Sequence, residues 1–318
     1  MTAINAVHLD ERLRGRDFLS LHDFSRAEIF YMLEVAQNLK AMQKAGRSHH
    51  VLEGKTLAMI FTKSSTRTRV SFEVGMYQLG GQALFLSSND IQIGRGEPIR
   101  DTARVLSRFV DGIMIRTFDH QDVVELAKYA DVPVINGLTD LLHPCQVLAD
   151  LLTIIEHQGR TDGRKLTYIG DGNNMAHELM FGGAKAGMHV VICTPENYRP
   201  DPEIVRLATA DALAEGGSIT LCSDPLEAAR GAHVLYTDVW ASMGQEGEAE
   251  ARAQAFQGFQ INRQIMDVAD PQAIVLHCLP AHRGEEITDE VLESPQSVVF
   301  DEAENRLHAQ KAIMALMM

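Results

Sequence analysis

The chain has 318 residues, 45% of them hydrophobic and 23% charged, with a formal net charge of −14. That composition supports sizeable cores and excludes a disordered chain, and the length accommodates two domains of about 150 residues each. The acidic balance excludes a nonspecific nucleic-acid binder, which needs a basic footprint, but leaves room for a small anion held by local arginines.

Met1–Arg16 is mixed in character and carries no apolar signal core, and no run in the sequence is long enough to span a bilayer. Cys145, Cys193, Cys222 and Cys278 form neither a CxxC pair nor a disulfide ladder, so a reducing, cytoplasmic compartment is expected. Ser25-x-x-Glu28 is a capping box that opens a helix running to about Lys44, with Ile29, Leu33 and Ala36 inward. Strands are predicted at Thr56–Thr62, Ala83–Leu86, Gly112–Arg116 and Val132–Ile135, with helical patterns between them. The second half repeats the alternation, with strands predicted at Leu166–Ile169, His189–Cys193, Ile219–Cys222, Val234–Tyr236, Ile274–Leu276 and Val298–Phe300. Such alternation implies an α/β protein of two domains, each a mainly parallel sheet flanked by helices. Pro144 suits a first helical turn, and the helix from Gln146 through His157 to Gly159 joins the halves, which places the boundary near Asp150. The domains are therefore expected at residues 1–150 and 151–318, the last part, about 304–318, forming a final helix with Leu307, Ile313, Leu316 and Met317 on its apolar face. Two segments, Ser87–Glu97 and Ala241–Phe259, read as irregular and mobile.

Five stretches carry chemistry. Phe61-Thr62-Lys63-Ser64-Ser65-Thr66-Arg67-Thr68-Arg69 joins a predicted strand to a helix whose apolar positions are Val70, Phe72, Val74, Met76, Tyr77 and Leu79. Unpaired N–H groups at a helix start favour an anion; Ser65, Thr66 and Thr68 add hydroxyl donors, and Arg67 adds a guanidinium fork suited to phosphate. The stretch lacks the glycine spacing and Gly-Lys-Ser/Thr ending of a P-loop. Arg69, two residues on from Arg67, faces elsewhere and reads as a structural, salt-bridged residue. Arg116 closes its strand, and His143-Pro144-Cys145-Gln146 opens the joining helix with His143 and Gln146 able to face one site. Gly170-Asp171-Gly172-Asn173-Asn174 invites a dinucleotide reading, but Met175 stands at the third glycine position and the next strand closes without an acidic residue. Asp238-Val239-Trp240-Ala241-Ser242-Met243-Gly244 places a carboxylate at a strand end before a loop in which Gly244 permits a hinge. His277-Cys278-Leu279-Pro280 follows another apolar strand. The thirteen histidines lack a coordinating spacing, so neither a metal cluster nor any other cofactor is expected.

Ser65–Arg69, His143–Gln146, Asp238–Gly244 and His277–Pro280, taken in that order, resemble the aspartate/ornithine carbamoyltransferase family, and its ornithine-specific members in particular through Ser242-Met243-Gly244. The resemblance implies transfer of a carbamoyl group from carbamoyl phosphate to the δ-amine of L-ornithine, by direct amine attack through a tetrahedral intermediate. It implies that residues 1–150 bind carbamoyl phosphate and 151–318 bind ornithine, with the last helix packing back on the first domain. It further implies that Ser65, Thr66, Arg67, Thr68, Gln92, Arg116, His143, Gln146, Cys278, Leu279 and Arg306 hold carbamoyl phosphate, that Asn174, Asp238, Ser242 and Met243 hold ornithine, and that Arg67, Arg116, His143, Asp238 and Cys278 are catalytic. Gln92 would reach a neighbouring subunit's site, which implies a homotrimer with shared active sites and neither nucleic acid nor membrane as a partner. Another amine, putrescine or aspartate, is the alternative acceptor, and an NAD-dependent oxidoreductase is the alternative of a different class.

Overall fold

The computed structural model describes residue 9 and residues 11–318, so part of the Met1–Arg16 stretch lies outside the described residues. The chain divides into two compact units, the first comprising Met1–Leu152 and Glu304–Met318 and the second Thr153–Ala303. No helix among the described residues is long and apolar enough to cross a membrane. The four cysteines are free thiols.

The first unit is built on a parallel four-stranded sheet of β1 (Thr56–Phe61), β2 (Gln82–Ser87), β3 (Gly112–Arg116) and β4 (Val134–Leu138), in the order β2-β1-β3-β4. β1 and β3 are buried along almost their whole length, as expected of central strands with helices on both faces. Successive connections leave β1 in opposite directions, so the sheet's switch point lies between the carboxyl ends of β1 and β3, the place where open parallel sheets receive ligands. Ala58, Ile60, Ile113, Ile115, Val123, Leu126 and Val134 form a core cluster on this sheet. The Arg26–Lys44 helix carries the complete Ser25/Glu28 capping box. β4 starts two residues and ends three residues later than the pattern indicates, Asn136 and Gly137 continuing it where the apolar run has stopped.

The helix Thr66–Gln78 corrects one expectation. Phe72, Met76 and Leu79 are buried, but Val70, Val74 and Tyr77, spaced as one helical face, are 50%, 37% and 76% exposed. The final helix begins at Val299, five residues before the expected start, and from Glu304 onward it belongs to the first unit. Lys40 Nζ donates to Asn305 Oδ1 at 2.7 Å, and Gly15 N donates to Met317 O at 2.9 Å. Gly75 lets this helix approach: a Cβ there would lie 3.0–3.5 Å from Met314, Lys311 and Leu307.

The second unit carries a parallel five-stranded sheet of β5 (Lys165–Ile169), β6 (His189–Cys193), β7 (Ser218–Cys222), β8 (Val234–Thr237) and β9 (Ile274–His277), ordered β7-β6-β5-β8-β9. Its switch point lies between the ends of β5 and β8. Val298–Phe300 is not a strand: Ser297 makes an isolated bridge to Val275, and the chain turns helical at Val299 with Asp301 and Glu302 complementing the helix N-terminus. Ala241–Phe259 is not wholly irregular either, since Ala249–Ala255 is a helix with Arg252 buried.

Candidate active site

In the first unit, three chain segments meet beyond the carboxyl ends of β1, β3 and β4. Ser65 caps the Thr66–Gln78 helix: its Oγ accepts from Thr68 N at 3.2 Å and lies 3.1 Å from Thr68 Oγ1. Thr66 is exposed, Arg67 half-buried and Thr68 buried. β3 delivers Arg116, 8% exposed, at its last position, where Thr62 N donates to Arg116 O at 3.0 Å and ties the β1 loop to that strand end. β4 leads into a tight turn in which Leu142 N donates to Thr139 Oγ1 at 3.1 Å, and that turn presents His143 before Pro144 starts the next helix. From the last helix, Arg306 Nη1 donates to Gln146 Oε1 at 2.7 Å and Nη2 to Thr68 Oγ1 at 3.2 Å. The structure thus gathers Ser65, Arg67, Thr68, Arg116, His143, Gln146 and Arg306 in one region. Gln92 is exposed, opening a short 3₁₀ turn, Gln92–Arg95, after β2.

Four cations crowd this region. Burial holds the His143 imidazolium well below its usual pKa, and Arg306, Arg116, Lys63 and Arg67 push it further down. His143 is therefore a neutral imidazole at physiological pH, facing four cations. Sequence reasoning missed Lys63, whose side chain is 5% exposed and pairs with Asp140 Oδ1 at 2.9 Å while lying 4.9 Å over the Phe118 ring. Its position inside the hydroxyl-rich stretch was the available signal. Arg69 is indeed turned away: it pairs with Glu73 at 3.1 Å and stacks 3.7 Å over Phe85. Cys145, fully buried, donates to Asn136 O at 3.3 Å and is a packing residue.

In the second unit, β5, β8 and β9 end around Asp238. Asn173 caps the Asn174–Lys185 helix through Oδ1, which accepts from Met175 N at 2.9 Å, and its Nδ2 donates to Asp238 Oδ2 at 3.0 Å. Asp238 Oδ1 accepts from Val239 N at 2.8 Å and from Cys278 Sγ at 3.1 Å. Asn174 is 9% exposed at the helix start. Ser242 is half-buried and its N–H donates to Gln245 Oε1 at 2.9 Å; Met243 is 46% exposed, and Gly244 takes φ 96°. Gly172 is explained by packing, since a Cβ there would collide with the backbone of Tyr198, Arg199 and Pro200. The glycine serves this close crossing of two turns, which is not the role it has in a dinucleotide fingerprint.

Two buried pairs stiffen the second region. His277 Nδ1 accepts from Leu279 N at 2.9 Å, so Nε2 carries the proton that bonds Glu286 Oε1 at 3.0 Å; both side chains are fully buried. This holds Leu279 at φ 57°, a left-handed conformation that costs an ordinary residue about 1–2 kcal/mol. Arg252 Nη1 donates to Asp171 Oδ2 at 2.8 Å and to Trp240 O at 3.0 Å, while Nε donates to Glu248 Oε2 at 3.0 Å. Burial raises the Asp171 carboxyl above its ordinary range, against the pull of Arg252. Arg252 was not singled out from sequence, although it is the one arginine in an Ala/Glu/Gln-rich segment. Trp240 packs on Phe256, with ring centroids 5.9 Å apart.

Among the described residues, potential ligand atoms converge in two places: those of Asp238, His277 and Cys278 lie within 4.8 Å of one another, as do those of His282, Glu285 and Glu286. Spacing along the chain could not reveal the first group, because the sheet brings β8 and β9 side by side. Both His277 ring nitrogens are already in hydrogen bonds within the protein.

Comparison with known proteins places both regions in one family. Residues 16–156 match the carbamoyl-P binding domain of aspartate/ornithine carbamoyltransferase, and residues 162–317 match the Asp/Orn binding domain. The chain is 61% identical over 306 residues to an ornithine carbamoyltransferase of Thermococcus kodakarensis, covering 96% of this chain and 97% of that relative. It is 62% identical over 306 residues to one of Symbiobacterium thermophilum, covering 96% and 99%. The solved ornithine carbamoyltransferase of Pyrococcus furiosus is similar with a TM-score of 0.94 at 58% identity, covering 96% of this chain and 98% of that one.

Proposed function

The chain belongs to the aspartate/ornithine carbamoyltransferase family, and from that membership we propose that it converts carbamoyl phosphate and L-ornithine to L-citrulline and phosphate. The observation that carries the choice of acceptor is Asp238, a buried carboxylate bonded to the Cys278 thiol and the Asn173 amide. A carboxylate there favours an amine. An aspartate acceptor would call for arginines to neutralise its side-chain carboxylate, whereas this position carries a negative charge of its own.

In this reading the first unit binds carbamoyl phosphate. Ser65, Thr66, Arg67 and Thr68 at the helix start hold the phosphate with Arg116 and Arg306. Neutral His143 is a hydrogen-bond donor for the carbonyl oxygen, Gln146 takes the carbamoyl amide, and the family resemblance assigns Cys278 and Leu279 to the same ligand. Asn174 and the loop residues Ser242 and Met243 hold the amino acid end of ornithine, and Asp238 holds the δ-amine. The neutral amine attacks the carbonyl carbon, forming the C–N bond and a tetrahedral oxyanion. That oxyanion is stabilised by Arg67, Arg116 and His143, preorganised donors in a region where they need no reorganisation. The C–O bond to phosphate then breaks, phosphate departs with the electron pair, and the proton lost by nitrogen passes to it. Cys278 acts as a hydrogen-bonding partner of Asp238 and the amine, with no acyl-enzyme required.

We also propose a homotrimer in which Gln92 completes a neighbour's site. Support comes from the exposed Val70, Val74 and Tyr77 on one helix face and from Leu84 and Phe85, 37% and 36% exposed, on β2, the edge strand of its sheet. A cytoplasmic location agrees with four free thiols. The test of the function is citrulline formation from carbamoyl phosphate with ornithine, set against putrescine, aspartate and acetylornithine as acceptors. Ornithine is expected to be preferred by at least about a hundredfold, the discrimination open to a site that bonds a polar group its competitor lacks. Equal use of putrescine would overturn the role of the α-carboxylate contacts.

A further inference from the structure

We infer that Cys193 and Cys222 form a reversible oxidation site, at which a hydroperoxide joins two strand ends of the second unit through a disulfide. Cys193 closes β6 and Cys222 closes β7, and the two are partners in register across the parallel ladder. Residues paired in this way point to the same face of a sheet, and here both thiols pack on one core cluster, with Ile169, Ala228 and Leu235. Neighbouring strands run about 4.8 Å apart, inside the range of about 4.4–6.8 Å that a disulfide accepts between Cα atoms. The backbone around the pair is fixed: Thr194 N donates to Cys222 O at 3.1 Å, and Gly170 N donates to Cys193 O at 3.0 Å.

The two thiols differ in the way such a pair requires. Cys193 is fully buried, whereas Cys222 is half-buried on β7, the edge strand of its sheet. Burial pushes the Cys193 thiol well up, and the neighbouring Cys222, as a charge and as a hydrogen-bond partner, pushes it further. Cys193 is therefore a poor nucleophile towards an oxidant in solution, and Cys222 meets the peroxide first. The Cys222 sulfur attacks one peroxide oxygen, the O–O bond breaks, and a sulfenic acid forms as the other oxygen leaves as water with the thiol proton. The Cys193 sulfur then attacks the Cys222 sulfur. The S–S bond forms, the S–O bond breaks, and the hydroxyl leaves as a second water with the Cys193 proton. The two thiols lose two electrons and two protons, and the peroxide takes both. Proximity within one chain offsets the weak nucleophilicity of Cys193. The bond asks the Cβ atoms to come within about 4.5 Å, closer than the strand spacing, so it is strained and easily reduced. In a reducing compartment such a bond is transient. Its reach extends past β6, where Tyr198 O accepts from Gly172 N at 2.9 Å in the turn that opens the Asn174–Lys185 helix.

The experiment exposes the intact protein to a small excess of hydrogen peroxide, blocks the remaining thiols with an alkylating agent, and maps the unreduced digest by mass spectrometry. The expected product is one peptide pair joined through Cys193 and Cys222 within a single chain, lighter by two hydrogens than the separate thiol peptides. Glutathione is expected to return both residues to thiols. Cys193→Ser is expected to stop Cys222 at a sulfenic acid that dimedone captures, and Cys222→Ser to slow oxidation of Cys193 at least about tenfold. Cys222 carried on to a sulfinic acid while Cys193 stays a thiol would overturn the proposal. So would a link from either residue to Cys145, Cys278 or a second chain, or oxidation of Cys278 that leaves both residues as thiols. A link that glutathione leaves intact would show a permanent staple and overturn the reversible site. Should either serine variant not fold, the map of the unaltered chain decides alone, because the joined pair either forms and is reduced again or does not.

Discussion

Cys278 Sγ lies 3.1 Å from Asp238 Oδ1, although the two residues are 40 positions apart in sequence. The thiol is the donor and the carboxylate the acceptor, and Asn173 holds the other carboxylate oxygen. A fixed carboxylate can take a cationic amine, which must shed its proton before it attacks. Asp238→Asn removes that charge without disturbing the first unit. It is expected to raise KM for ornithine at least about thirtyfold, the loss of one charge-assisted bond, and KM for carbamoyl phosphate less than about threefold. Initial rates over a grid of both substrates check this, and proportional losses for both would remove the case for a separate amine site in the second unit.

Arg67→Ala is expected to lower kcat/KM by roughly 10²–10³, the ~3–4 kcal/mol typical of removing one preorganised donor from a developing oxyanion. Far-ultraviolet circular dichroism and a thermal melt should show the fold intact, because Arg67 is only half-buried. Near-normal turnover in the folded variant would detach Arg67 from the chemistry.

The rate should rise with pH until the attacking δ-amine is neutral in the complex. Burial of the amine in the complex favours its neutral form against the pull of Asp238, and the apparent pKa of kcat, which reports the complex, is expected below that of the free amine. His143 contributes no limb in the neutral and alkaline range, since burial and four cations keep it uncharged there. A flat profile between about pH 6 and 9 would contradict control by the amine.

Lys311 gives stability its own pH dependence. The residue is fully buried, its ammonium nitrogen meets Gln78 Oε1 at 2.8 Å and His49 Nε2 at 3.2 Å, and burial brings its pKa down to about 8. A folded pKa below the unfolded one means that folding disfavours the charged form. The cost is therefore full below about pH 8 and disappears as pH rises through the unfolded value, a span worth on the order of 3 kcal/mol. Denaturant melts should show stability rising between about pH 8 and 10. Lys311→Met should flatten that rise, and an unchanged slope would place the titration elsewhere.

Arg252→Met is expected to destabilise the protein by about 3–5 kcal/mol, because it strands the Asp171 carboxylate in a buried setting. Arg252→Met with Asp171→Asn should recover more than half of the loss. A double-mutant cycle by denaturant melts checks the coupling, and additive losses would show that the 2.8 Å contact carries no energy of its own.

Much of the fold could be read from the sequence because its central strands are short apolar runs with helical periodicity between them. β3 and β6 were located to the residue. The reading failed where apolar character and secondary structure part company. Val298 and Val299 are buried in the second unit without forming a strand, and Val70, Val74 and Tyr77 are apolar yet exposed. The contacts of the candidate site were less legible than its residue types. Lys63 and Arg252 act through partners 77 and 81 positions away, and those pairings emerge only when strand ends are brought together.

Subunit sharing can be tested by mixing two impaired variants. Gln92→Ala and Arg67→Ala, co-refolded, should form some sites lacking both defects if Gln92 acts on a neighbour. Activity should reappear only after subunits exchange. Arg67→Ala with His143→Ala should show no rescue, and sedimentation of a fully active monomer would refute the shared site.

Direct carbamoyl transfer to the ornithine δ-amine underlies every role assigned above. A single turnover with ¹³C-carbamoyl phosphate and δ-¹⁵N-ornithine tests it most directly. The expected result is citrulline whose ureido carbon shows one-bond ¹³C–¹⁵N coupling, formed in step with phosphate release and with the enzyme's mass unchanged throughout. Phosphate release without coupled citrulline, or a ¹³C-carbamoyl group found on Cys278 before product appears, would contradict the account.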